Sequence, residues 1–155
     1  MVSRIALLLS TWFGSGLLKP APGTWGSLAA LPFAYVFIEF IGVYTLILAT
    51  LVVFGLGVWA SAVYSRESGK QDASEIVIDE VVGQWIAVLP WGFLMPQWLW
   101  GYAIAFGLFR LFDILKPWPV RLADERHDAW GIMLDDCVAG AIAALLGWGA
   151  IIYAL

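Results

Sequence analysis

The chain has 155 residues, 62% of them apolar and 13% charged, with a formal net charge of −4. Soluble domains carry roughly 25% charged residues, so much of this surface should face lipid. Eight basic residues scattered among twelve acids exclude a nucleic-acid interface, and the single cysteine, Cys137, excludes an intrachain disulfide, a Cys-rich zinc site and a redox pair.

Residues 1–16, MVSRIALLLSTWFGSG, place Arg4 before a short apolar run that Trp12 and Phe13 interrupt, so the segment is expected to be a retained interfacial helix rather than a cleaved leader. Charge-free windows then cover 20–38, 40–65, 81–109 and 137–155. The second and fourth meet the requirement of about 20 residues for a spanning helix. The first is shortened or kinked by Pro22, Gly23 and Pro32. Window 81–109 could cross once or fold as a hairpin at LPWGFLMPQW, where Pro90, Gly92 and Pro96 act as breakers; the hairpin is the expectation, with limbs too short for an average bilayer. The expected fold is therefore all-α: a single domain over 1–155, a polytopic membrane bundle of four to five hydrophobic helices beside an interfacial N-terminal helix.

The hairpin puts Lys19, loop 66–80, segment 110–128 and Asp135/Asp136 on one side of the membrane. Arg66, Lys70, Arg110, Lys116, Arg121 and Arg126 fall in the two loops of that side, and the positive-inside rule places it in the cytoplasm. IVIDEVVG (76–83) and IMLDDCVAG (132–140) echo each other, each running from apolar residues through two acids to small residues. Gly83 and Ala139 follow Asp79 and Asp135 by four positions, on the same helical face, where a small side chain lets another helix approach closely.

Ionisable groups at a membrane edge are costly and point to function. Here they are Asp79, Glu80, Arg110, Asp113, Lys116, Asp135 and Asp136, with FRLFDILKP lining Arg110, Asp113 and Lys116 along one helical face before Pro117 stops the helix. Two acidic pairs at helix starts suit a hard cation such as Mg²⁺ shared with a phosphate; each acid taken alone could instead form an interfacial ion pair with Arg or Lys. In FGSGLLKPAPGTWGSL (13–28), Thr24, Ser27 and free N–H groups at a helix start could cradle phosphate, although the GxxxxGK[ST] loop is absent and such a run can equally be a turn and packing element. Cys137 is followed by Ala143 where a cysteine phosphatase would carry its arginine, no DxDx[TV] loop occurs, and the lone His127 reads as a solvated side chain. Phosphoryl chemistry would thus rest on carboxylates and metal. A small cation-conducting or transport protein with an acidic site is the competing class. It would need polar residues along mid-span, and windows 40–65 and 137–155 offer only occasional Thr, Ser and Gly.

Together FGSG with APGTWGSLAA, IVIDEVVGQWI, FRLFDILKPWPVR and GIMLDDCVAG, in order from about residue 13 to 141, resemble the phosphatidylglycerophosphatase A family. Two departures stand out: Leu18 and Lys19 replace the family's common Ser-Pro, and Asp128-Ala129 replaces its Gly-Gly. The resemblance implies a bacterial inner-membrane enzyme, multi-pass with a cytoplasm-facing site, whose partners are the bilayer and a lipid substrate: it would dephosphorylate phosphatidylglycerophosphate to phosphatidylglycerol with Mg²⁺. The DGxxAR…GxxxDxxxD pattern of CDP-alcohol phosphotransferases is not present. The roles expected are metal binding by Asp79, Glu80, Asp135 and Asp136, catalysis by Asp79, Glu80, Asp113 and Asp136, and phosphate binding by Arg110, Lys116, Thr24 and Ser27.

Overall fold

The computed structural model describes residues 3–70, 73–126 and 128–154, and among these every regular element is helical. In chain order they are α1 (Arg4–Ser10), a 3₁₀ turn (Ser15–Leu17), α2 (Pro22–Val36) running into a π-helical turn (Phe37–Ile41), α3 (Val43–Ser68), α4 (Ile78–Leu94), α5 (Leu99–Leu115), α6 (Val120–Asp124) and α7 (Ala129–Ala154). His127 lies outside the described residues.

Three stretches, Pro22–Ile41, Val43–Ser68 and Ala129–Tyr153, are long and apolar enough to cross a membrane. The proline at 32 does not end α2, which continues through it. The window from 81 to 109 folds as the expected hairpin, yet Pro90 lies inside α4 and the turn falls at Met95–Trp98. Burial explains this, because Pro90 packs in the bundle interior where neighbouring helices tolerate a lost backbone bond. Each limb has 17 residues, about 25 Å at 1.5 Å per residue, short of the roughly 30 Å hydrocarbon core.

α4 is central. Twelve of its residues are buried, from Ile78 to Gly92, and α2, α3, α5 and α7 all pack on it. Its apolar character on every side thus reflects protein neighbours, whereas α3 shows two thirds of its most apolar stretch to the outside. Trp85 locks α2 to α4 by donating its indole N–H to the Ala30 carbonyl at 2.9 Å. Small residues set the closest approaches: a Cβ on Gly83 would fall 2.5 Å from the Phe109 ring and 2.6 Å from the Asp136 carbonyl oxygen, and one on Gly57 would fall 2.6 Å from Met133. Gly83 and Ala139 were both expected to admit a close helix; Gly83 does so against Gly140 of α7, backbone to backbone, and Ala139 is fully buried.

The start of α7 departs from expectation. The helix begins at Ala129, eight residues before the charge-free window, so Asp135 and Asp136 sit in its second turn rather than at its start. A charge-free criterion misses this because both carboxylates turn inward, where the bundle rather than lipid surrounds them. Asp128, at the position of the family's Gly-Gly, accepts a hydrogen bond from the Gly131 N–H at 2.8 Å and so caps that first turn.

Candidate active site

The N-terminal segment fixes where α4 begins. Val77 donates its N–H to the Ser10 carbonyl at 2.8 Å, and Gly16 and Gly26 press against the same strand of chain, where a Cβ would lie 2.2 Å from the Glu75 carbonyl oxygen and 2.6 Å from Val77. Asp79 and Glu80 therefore leave the first turn of α4 from a clamped position. Asp136 reaches the same point from α7, held in register by the Gly83–Gly140 crossing.

Asp79, Glu80 and Asp136 each offer a carboxylate oxygen within 4.8 Å of the others. Asp79 is 9% exposed and Asp136 3%. Glu80 Oε2 is buried without a hydrogen-bond partner. Three converging, largely buried carboxylates with an unpaired oxygen repel one another unless a cation sits between them, and their hard oxygens fit a divalent ion of the Mg²⁺ type.

A cavity of about 300 Å³ opens over this cluster. Arg110, Asp113, Lys116 and Asp135 line its walls, and Ala21, Pro22 and Gly23 at the start of α2 complete it. Arg110 bridges two acids: its Nη1 lies 3.9 Å from Glu80 Oε1 and 2.5 Å from Asp113 Oδ2, the latter without the alignment of a hydrogen bond. Gly23 has no side chain for a reason visible here, since a Cβ would fall 2.1 Å from Glu80 Oε1. α2 opens with Pro22, which has no N–H, so of the α2 residues that line the cavity only Gly23 carries a backbone donor, one without an acceptor inside the helix.

Several expected residues behave otherwise. Asp135 lines the cavity but stands outside the three-carboxylate group, because Lys116 holds it at 3.0 Å. Lys116 is also paired with Asp124 of α6, so it spans two carboxylates rather than projecting freely. Burial works against its charged form, but the hydrogen bonds to Asp124 and Asp135 outweigh it and hold the ammonium above the ordinary lysine value. Neither Thr24 nor Ser27 lines the cavity. Ser27 is fully buried and its hydroxyl donates to the Gly23 carbonyl at 2.8 Å, a back-bond within α2. Of that segment Ala21, Pro22 and Gly23 line the cavity, and Gly23, which the sequence marked only as shortening or kinking the helix, lies against Glu80.

The family described as Phosphatidylglycerophosphatase A matches this chain over residues 8–151. A protein of that name from Haemophilus influenzae is 41% identical over 140 residues, covering 90% of this chain and 84% of the relative. Its namesake from Escherichia coli is 40% identical, covering 88% and 78%. A protein from Bacteroides thetaiotaomicron named "Putative phosphatidylinositol-3-phosphatase" is 37% identical, covering 93% and 92%. No solved structure matches the chain.

Proposed function

Because the chain belongs to the phosphatidylglycerophosphatase A family, we propose that it hydrolyses the terminal phosphate monoester of phosphatidylglycerophosphate, giving phosphatidylglycerol for phospholipid synthesis. The observation that carries this reading is the meeting of three buried carboxylates from α4 and α7 with Arg110 around one cavity.

Asp79, Glu80 and Asp136 would hold a divalent cation, while Asp135, paired with Lys116, lines the same cavity. The ion, when bound, supplies charge neutralisation and a water nucleophile. The remaining work falls to the chain. Arg110 leaves Asp113 and Glu80 to grip phosphate oxygens, freeing Asp113 to accept the proton of the attacking water. The Gly23 N–H at the start of α2 adds a donor there, with the favourable helix dipole. Lys116 orders Asp124 and Asp135 at the mouth.

Position supports a lipid substrate. Of the described charged residues, only Glu39 lies at the opposite end of the bundle, so the cavity stands at a membrane boundary, where a headgroup can enter while acyl chains stay in the bilayer. The same asymmetry speaks for catalysis over conduction and, through the positive-inside rule, for a multi-pass protein of the bacterial inner membrane with this end in the cytoplasm.

The test is phosphate release by the detergent-solubilised protein from phosphatidylglycerophosphate, phosphatidic acid and phosphatidylinositol 3-phosphate, each with Mg²⁺. Preference for the first is expected. Turnover of the inositol lipid alone would overturn the substrate, and turnover of none would overturn the class.

A further inference from the structure

Below the carboxylates, one residue is placed at a cost that the site described so far does not explain. Gln84 is fully buried, and neither its Nε2 nor its Oε1 has a hydrogen-bond partner. A buried carboxamide with both ends unpaired is strongly disfavoured, and leucine would fill the space without that penalty. Gln84 follows Glu80 by one helical turn on the same face of α4. The Phe109 ring lies against Gly83, the neighbour of Gln84 in α4, so the next residue of α5, Arg110, starts near the same level, and its Nη1 comes 3.9 Å from Glu80 Oε1. Arg110 Nε is itself buried and unpartnered.

We propose that Gln84 is a positioning residue that acts through Arg110: its carboxamide oxygen takes the Arg110 Nε–H when the guanidinium turns from Asp113 and Glu80 to a phosphate. This rests on the phosphatase reading of the site. The chemistry explains why the residue is neutral. A guanidinium freed from two carboxylates needs an acceptor to fix its plane, and a glutamate there would fix it while cancelling the charge the phosphate requires. A carboxamide orients the group and leaves its charge for the substrate.

The experiment compares wild type, Gln84→Leu, Gln84→Glu, Arg110→Lys and the Gln84→Leu/Arg110→Lys double variant. Its readouts are steady-state kinetics on phosphatidylglycerophosphate and thermal melting with and without inorganic phosphate. Gln84→Leu should melt no lower than wild type yet raise KM about tenfold, the scale of one hydrogen bond to a charged group, with kcat changing less. It should add nothing in the Arg110→Lys background, which has no Nε–H to orient. Gln84→Glu should lose the phosphate-induced rise in melting temperature, and it serves the same purpose if the leucine variant does not fold. A Gln84→Leu protein that melts lower with unchanged KM, or effects that multiply with those of Arg110→Lys, would overturn the assignment. If wild type releases no phosphate from the lipid, the phosphatase reading falls separately; Gln84 is then judged by melting alone, where a phosphate shift present in wild type and lost in Gln84→Leu and Gln84→Glu supports it. A shift kept in Gln84→Leu, or lacking in wild type, contradicts it.

Discussion

Gly83 of α4 and Gly140 of α7 meet backbone to backbone: a Cβ on Gly140 would fall 2.3 Å from the Gly83 carbonyl oxygen. That contact sets the separation of the two helices one turn below Asp79 and Asp136, and so fixes how near the carboxylates stand. Gly140→Ala cannot be accommodated by a side-chain swing, because the obstacle is main chain. The variant should lose about 1–3 kcal/mol of stability, seen as a lower melting temperature in detergent, and its affinity for divalent cations should fall with it. An alanine variant with wild-type melting and metal response would show that the crossing does not position the acids.

Gly23→Ala is a contrasting case. The atom in its way is the flexible end of Glu80, so the fold should survive while the carboxylate is pushed from Asp79 and Asp136. Melting temperature should stay near that of wild type and turnover should drop roughly tenfold to a hundredfold, as for a group displaced by about an ångström. Unchanged turnover would remove Glu80 from the machinery.

Lys116 offers a pH test. Its folded pKa is raised by Asp124 and Asp135, so its pairing stabilises fully below the unfolded value of about 10.4 and is lost only as pH climbs through the higher folded one. The lowering of melting temperature by Lys116→Met should therefore be equal at pH 7 and pH 9. A penalty that disappears by pH 9 would mean that Lys116 is not held by these acids.

The hairpin predicts sidedness. With Cys137 replaced, a single cysteine at Gln97 should react with an impermeant reagent from the face opposite that of one at Lys70 or Asp128. Labelling of all three from one face would refute the arrangement.

The sequence carried the helical class, the hairpin and the side on which the acids gather, because each follows from local chemistry: apolar length, Pro96 before Gln97, and the cost of charge in lipid. It misplaced the start of α7, since inward-facing carboxylates at 135 and 136 interrupt a hydropathy window without interrupting a helix. Thr24 and Ser27 were read by hydroxyl type, but Ser27 spends its hydroxyl on the Gly23 carbonyl and the nearby glycine gives the site its room. Gln84 passed unnoticed because a lone glutamine in an apolar run has no spacing signature. Only its complete burial without partners marks it.

Whether Asp79, Glu80 and Asp136 act through a shared divalent ion is decided by phosphate release from phosphatidylglycerophosphate, measured with chelator and after Mg²⁺ is restored. The expected result is hydrolysis abolished by chelator, recovered with Mg²⁺ in wild type, and reduced at least roughly a hundredfold at every Mg²⁺ concentration in folded Asp79→Asn and Asp136→Asn proteins. Undiminished hydrolysis in chelator, or full recovery in either variant, would rule out an ion shared by these carboxylates.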